Sequence, residues 1–131
     1  MQVADSTSPR TILFVEDEVL IAMVAGAMIS DLGYQVLEAG SGSQALKILE
    51  SDAAVDLLIT DYSMPRMTGI ELVKAARALR PGLPVLIATG YSELPEGSDS
   101  DLPRLGKPFQ QDQLKTEIER LLGEPESFRS S

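Results

Sequence analysis

Five polar side chains stand just after segments that read as strands, four of them after short apolar runs. Glu16 and Asp17 follow Ile12-Leu13-Phe14-Val15, Asp61 follows Leu57-Leu58-Ile59-Thr60, Thr89 follows Val85-Leu86-Ile87-Ala88, and Lys107 follows Arg104-Leu105-Gly106. Three carboxylates gathered in one pocket repel one another and raise each other's pKa unless a cation shares the site. A hard divalent ion meets that need. Magnesium prefers oxygen ligands, keeps several waters and takes one or two carboxylates together with phosphate oxygens, and Mn2+ has a similar taste in ligands. Beside such an ion Asp61 could act as a nucleophile toward a phosphoryl donor, giving an aspartyl-phosphate. The metal, the Lys107 ammonium and the Thr89 hydroxyl would then bind the oxygens of the transferred group.

Composition narrows the alternatives. The chain has no cysteine and no histidine, which excludes disulfides, thiolate metal sites, histidine-based triads and the usual zinc centres. Its 131 residues and formal net charge of -9 fit one domain and argue against direct binding to nucleic acid or to an anionic membrane surface. No signal-peptide pattern precedes Pro9, and the longest apolar run, Val19 to Ile29, is too short to span a bilayer. A cytoplasmic protein is expected.

The elements that must position these residues follow from the hydrophobic pattern. Short apolar runs bounded by polar residues suit strands buried on both faces. Four are expected, at Ile12–Val15, Gln35–Ala39, Leu57–Thr60 and Val85–Ala88, with a brief fifth around Arg104 to Gly106. Helices are expected from the Val19 run through Asp31, over Ser43–Leu49, over Gly69–Leu79, and through Leu114, Ile118, Leu121 and Leu122, which follow helical spacing. Glu16 and Asp17 could also cap the first helix, where its dipole favours acids. Such alternation predicts a flavodoxin-like three-layer α/β/α sandwich, with a five-stranded parallel sheet of order 2-1-3-4-5. Ligands bind beyond the carboxyl ends of the strands in such folds, and all five polar residues lie at that edge. Between Gly90 and Gly106 the sequence is short and poor in helix formers, so the fourth helix of the fold is expected to be reduced or mobile. Residues 1–10 and 124–131 read as flexible ends around a domain at 11–123.

With these elements in place, the sequence resembles a receiver domain of two-component signalling, the response-regulator family. The resemblance covers roughly residues 11–123 and rests on four segments in order: Ile12 to Glu18, Asp61-Tyr62-Ser63-Met64-Pro65-Arg66-Met67-Thr68-Gly69, Ala88-Thr89-Gly90 and Lys107-Pro108-Phe109. It implies that Asp61 is the phosphoacceptor and that Asp17 and Asp61 bind magnesium. Glu16 would act through a metal-bound water and the Ser63 backbone carbonyl would be a further ligand. Thr89 would be the switch hydroxyl, and Lys107 the ionic partner of the phosphoryl group, followed by a cis bond before Pro108. The resemblance also implies a phosphohistidine donor on a histidine kinase or histidine phosphotransfer protein. Family members catalyse the transfer and usually the hydrolysis of their own aspartyl-phosphate, without being classical enzymes.

One departure stands out. Family members usually carry Tyr or Phe three residues before the lysine, where this chain has Arg104, and Tyr91 is a candidate replacement. The first helix is apolar nearly all round. It has either a well-buried face with an Ala-rich outer one, or an outer face that docks a histidine-bearing partner helix. Two other functions compete with the phosphorylated switch. One is a receiver-like binding module that no longer uses its phosphosite. The other is a flavin carrier, disfavoured because Glu16-Asp17-Glu18 would repel an FMN phosphate and no Trp is present to stack on the ring. The chain reads as a free-standing regulator or as a receiver cut from a longer protein such as a hybrid histidine kinase. A weak homodimer is left open.

Overall fold

The apolar runs become five parallel strands: β1 (Thr11–Val15), β2 (Gln35–Ala39), β3 (Leu57–Asp61), β4 (Val85–Thr89) and β5 (Arg104–Gly106). Four helices accompany them among the described residues: α1 (Val19–Asp31), α2 (Gly42–Glu50), α3 (Gly69–Leu79) and α4 (Gln111–Leu122). They are seen in a computed structural model that describes residues 10–64, 66–89, 103–107 and 109–123. The expected reduced fourth helix, Tyr91 and the bond before Pro108 all fall outside these residues. The strand order is β2-β1-β3-β4-β5, as expected from the alternation.

Every residue of β1, β3 and β4 is buried, and their side chains alternate between two cores. Leu13, Val15, Leu58 and Ile87 pack with Ala45 and Leu49 of α2 and with Leu72 and Ala76 of α3. Ile12, Phe14, Ile59 and Leu86 face the other way, onto Ala25 and Ile29 of α1 and onto Leu114 and Ile118 of α4. The sheet is therefore the middle of three layers. Each large side chain buried in this way contributes about 1.5–3 kcal/mol, which is why uninterrupted apolar runs, not alternating ones, mark these strands.

The register lines up the site. Val15 lies opposite Ala39 on one side and Thr60 on the other, and Asp61 lies opposite Ala88. The acids after β1, the last residue of β3, Thr89 and the residue after β5 therefore share one edge. At the opposite edge the Arg80 guanidinium donates to the Leu49 and Ser51 carbonyls, tying the end of α2 to the end of α3. The Arg10 guanidinium donates to the Leu122 carbonyl at the end of α4.

Two local expectations need correction. Glu16 and Asp17 do not cap α1. The cap position is Glu18, whose side chain makes no capping bond, and Glu16 instead accepts the Glu18 amide at 3.2 Å ahead of the helix. The outer face of α1 is not Ala-rich either. Its inner side is small (Ala25 and Gly26, with Ile29), and the large apolar residues Val19, Leu20, Met23 and Val24 are between 58% and 75% exposed. On its inner side α1 lies close to β2: a Cβ on Gly26 would come within 2.6 Å of a carboxylate oxygen at the mobile end of the Glu38 side chain.

Candidate functional site

The sheet edge brings Glu16, Asp17 and Asp61 together. One carboxylate oxygen from each lies within 4.8 Å of the others, with Glu16 and Asp61 buried and Asp17 exposed. Lys107 reaches across from the end of β5, and its Nζ donates to Asp61 Oδ1 at 2.6 Å. These residues line a cavity of about 470 Å³ with Glu18, Ser63 and Met64.

Burial pushes the Glu16 carboxyl above its ordinary pKa of 4.5. The Glu18 amide pulls it back, the negative charge of Asp61 raises it further, and Lys107 lowers it. A carboxylate held in this way gains from a cation. The three clustered donors are carboxylate oxygens, so the set fits a hard divalent ion such as Mg2+ better than zinc or copper.

The nucleophile candidate is fixed by its backbone. Asp61 is the last residue of β3 and not, as read from the sequence, the first of a loop. The Tyr62 amide still donates to the Ala88 carbonyl at 2.9 Å, which carries the β3–β4 pairing one residue further. The chain then turns sharply. Arg66 adopts φ 71°, the left-handed region that residues other than glycine rarely visit. Thr68 starts α3 with a capping box: its hydroxyl accepts the Glu71 amide while the Glu71 carboxylate accepts the Thr68 amide. Met64 is buried, and Thr60 Oγ1 lies 3.9 Å from its sulfur.

Of the six residues singled out in the sequence, Glu16, Asp17, Asp61, Ser63 and Lys107 line the cavity. Thr89 is buried at the end of β4, next to the residue that pairs with Asp61, and its carbonyl accepts the Lys107 amide at 2.7 Å. It is not among the lining residues. Sequence reasoning missed Glu18 and Met64 in the lining, although both stand in the segments it had marked. It also missed a second hollow of about 480 Å³, lined by Leu20, Ile21, Val24 and Met28 of α1 with Phe109 and Lys107. Lys107 belongs to both cavities, so the apolar hollow opens beside the acidic one.

Among the described residues no helix is long and apolar enough to cross a membrane. Residues 12–119 match the family described as the response regulator receiver domain. The chain is 34% identical over 117 residues to the response regulator receiver protein CpdR of Brucella abortus, covering 86% of this chain and 97% of that protein. It is also 34% identical over 125 residues to the sensor kinase CckA of the same organism, covering 90% of this chain but only 13% of the kinase. The crystal structure of the receiver domain from the hybrid histidine kinase CckA superposes with a TM-score of 0.73 at 36% identity, covering 86% of this chain and 98% of that one. With a family match over most of its length, the expected sheet order, and an acidic cluster facing a lysine at the carboxyl edge, the chain belongs to the response regulator receiver domain family.

Proposed function

We propose that this domain is a phosphorylation-controlled signalling switch that accepts a phosphoryl group on Asp61 from a phosphohistidine of a partner kinase or phosphotransfer protein. The observation that carries the reading is the 2.6 Å contact between Lys107 and Asp61 inside a cluster of three carboxylates. An Asp61 carboxylate oxygen attacks phosphorus, the P–N bond to the imidazole breaks, and the imidazole leaves with its electron pair. Lys107 holds the aspartate in place before the reaction and neutralises phosphoryl oxygens after it. Asp17, Asp61 and the Ser63 carbonyl are the proposed direct ligands of Mg2+, with Glu16 acting through a bound water. Bound there, the ion would offset the negative charge that develops on the transferred group. Thr89 is the proposed switch hydroxyl. The same residues are expected to support hydrolysis of the aspartyl-phosphate, and the proposed location is the cytoplasm.

Beryllofluoride, which mimics a phosphoryl group on aspartate, tests this reading. With magnesium it should raise the melting temperature of the wild type and shift its amide spectrum, and it should do neither in Asp61→Asn. An unresponsive wild type would leave the domain a phosphorylation-independent binding module.

The partner is proposed to dock its histidine-bearing helix on the apolar face of α1. Leu20, 75% exposed, lines the hollow that shares Lys107 with the acidic cavity, so a helix seated there presents its side chains next to Asp61. Leu20→Glu should therefore slow transfer from a phosphorylated histidine phosphotransfer protein about tenfold or more. Phosphorylation by acetyl phosphate should stay within about twofold, because Leu20 lies outside the acidic cavity. Equal losses with both donors would argue against this docking site.

A further inference from the structure

The first turn of α3 sits directly on the backbone of Asp61. A Cβ built on Gly69 would lie 2.6 Å from the Asp61 carbonyl oxygen and 3.0 Å from the Tyr62 Cα. These are main-chain atoms, so no side-chain rotation can relieve the overlap. The Gly69 amide also donates to the Tyr62 carbonyl at 2.7 Å. Gly69 has no positive φ, and so a backbone conformation reserved for glycine is not the reason it is there. The close approach is. Tyr62 is in turn held to Ala88 of β4. The peptide that carries the nucleophile is thus clamped between β4 on one side and the start of α3 on the other.

We propose that Gly69 is a positioning residue for the phosphorylation site: by lacking a side chain it lets α3 set the height of the Asp61 peptide in the acidic cavity. The inference rests on the reading of Asp61 as phosphoacceptor and metal ligand, and it adds a residue that touches neither metal nor phosphoryl group. Crowding at position 69 pushes the Asp61–Tyr62 peptide away from the helix. It thereby moves the Asp61 carboxylate relative to Glu16, Asp17 and Lys107, which are anchored on other strands. Displacements below 1 Å suffice to weaken a preorganised site strongly.

Gly69→Ala should retain the fold but bind Mg2+ about tenfold or more weakly, followed by the magnesium-dependent change in amide spectrum. Acetyl phosphate should label it correspondingly more slowly. Thr68→Ala is the matched control. It removes the cap of the same helix and should lower the melting temperature by about 3–8 °C, yet it leaves the contact with Asp61 intact and should keep Mg2+ affinity within about twofold. A Gly69→Ala variant that binds Mg2+ like the wild type would overturn the proposal, as would a Thr68→Ala variant that loses as much affinity. Should Gly69→Ala not fold, the wild type decides. Its Gly69 amide resonance should titrate with Mg2+ at the same midpoint as Asp61 and Lys107, and an unmoved resonance would refute the clamp. A wild type that binds no Mg2+ at all would instead defeat the underlying assignment of the site.

Discussion

Replacing Lys107 with alanine should slow phosphorylation by acetyl phosphate about 10²–10³-fold, the usual cost of removing one preorganised donor to a developing anion. Lys107 is the lysine that reaches Asp61 in this structure, at 2.6 Å, and it does so from a side chain only 23% exposed. Its charge therefore acts in partly excluded solvent, where it is worth more than at an open surface. The substitution also withdraws a positive charge from beside Glu16, Asp17 and Asp61, so the metal-free domain should lose about 1–3 kcal/mol in urea unfolding. Lys107→Arg keeps the charge on a rigid planar fork that does not match the ammonium's contact, and it should recover stability better than rate. A Lys107→Ala domain that is labelled within about twofold of the wild-type rate would remove Lys107 from the mechanism.

Glu16→Gln has the opposite sign for stability. Burial raises the Glu16 pKa above 4.5, so the folded state holds this proton more tightly than the unfolded chain does. The stability this group contributes is full below pH 4.5 and is lost as pH rises through the raised folded-state value. At neutral pH the ionised carboxylate is thus a cost of folding when no cation is bound. In chelator at pH 7, Glu16→Gln should melt a few degrees higher than the wild type, and the difference should vanish below pH 4.5, where Glu16 itself carries the proton. Added Mg2+ should reverse the order. The wild type should gain stability by mass action, while the variant, lacking the carboxylate proposed to orient a bound water, should bind the ion about 10–100-fold more weakly. Scanning calorimetry at two pH values, with and without Mg2+, reads all of these effects. A variant less stable than the wild type in chelator would show that Glu16 is a structural partner and not a strained one.

The parts of this site that could be read in the sequence are those set by pattern. Ile12 to Val15 and Leu57 to Thr60 announce buried strands because both faces need apolar residues, and the rule of parallel α/β sheets then delivers Glu16, Asp17, Asp61 and Lys107 to one edge. What escaped depends on contacts across space. Val19 to Ile29 is apolar nearly all round, so its period does not say which side turns inward; in the structure Ala25, Gly26 and Ile29 are buried, leaving Leu20 and Met23 outside. β3 runs one residue beyond its apolar run, through Asp61, and nothing local reveals that the Tyr62 amide still pairs with Ala88. Gly69 looked like the helix start it is, but its contact with the Asp61 carbonyl has no signature in spacing. The Thr68–Glu71 capping box, by contrast, has a local signature in its Thr-x-x-Glu spacing.

The central claim is that Asp61 becomes an acyl phosphate. The direct measurement is to treat the domain with acetyl phosphate and Mg2+, reduce with borohydride, and map the product by peptide mass spectrometry. The account predicts one added phosphoryl group per chain before reduction and homoserine at position 61 after it, both absent with chelator and in Asp61→Asn. An unlabelled wild type, or a phosphoryl group stably carried by any other residue while Asp61 stays intact, would contradict it.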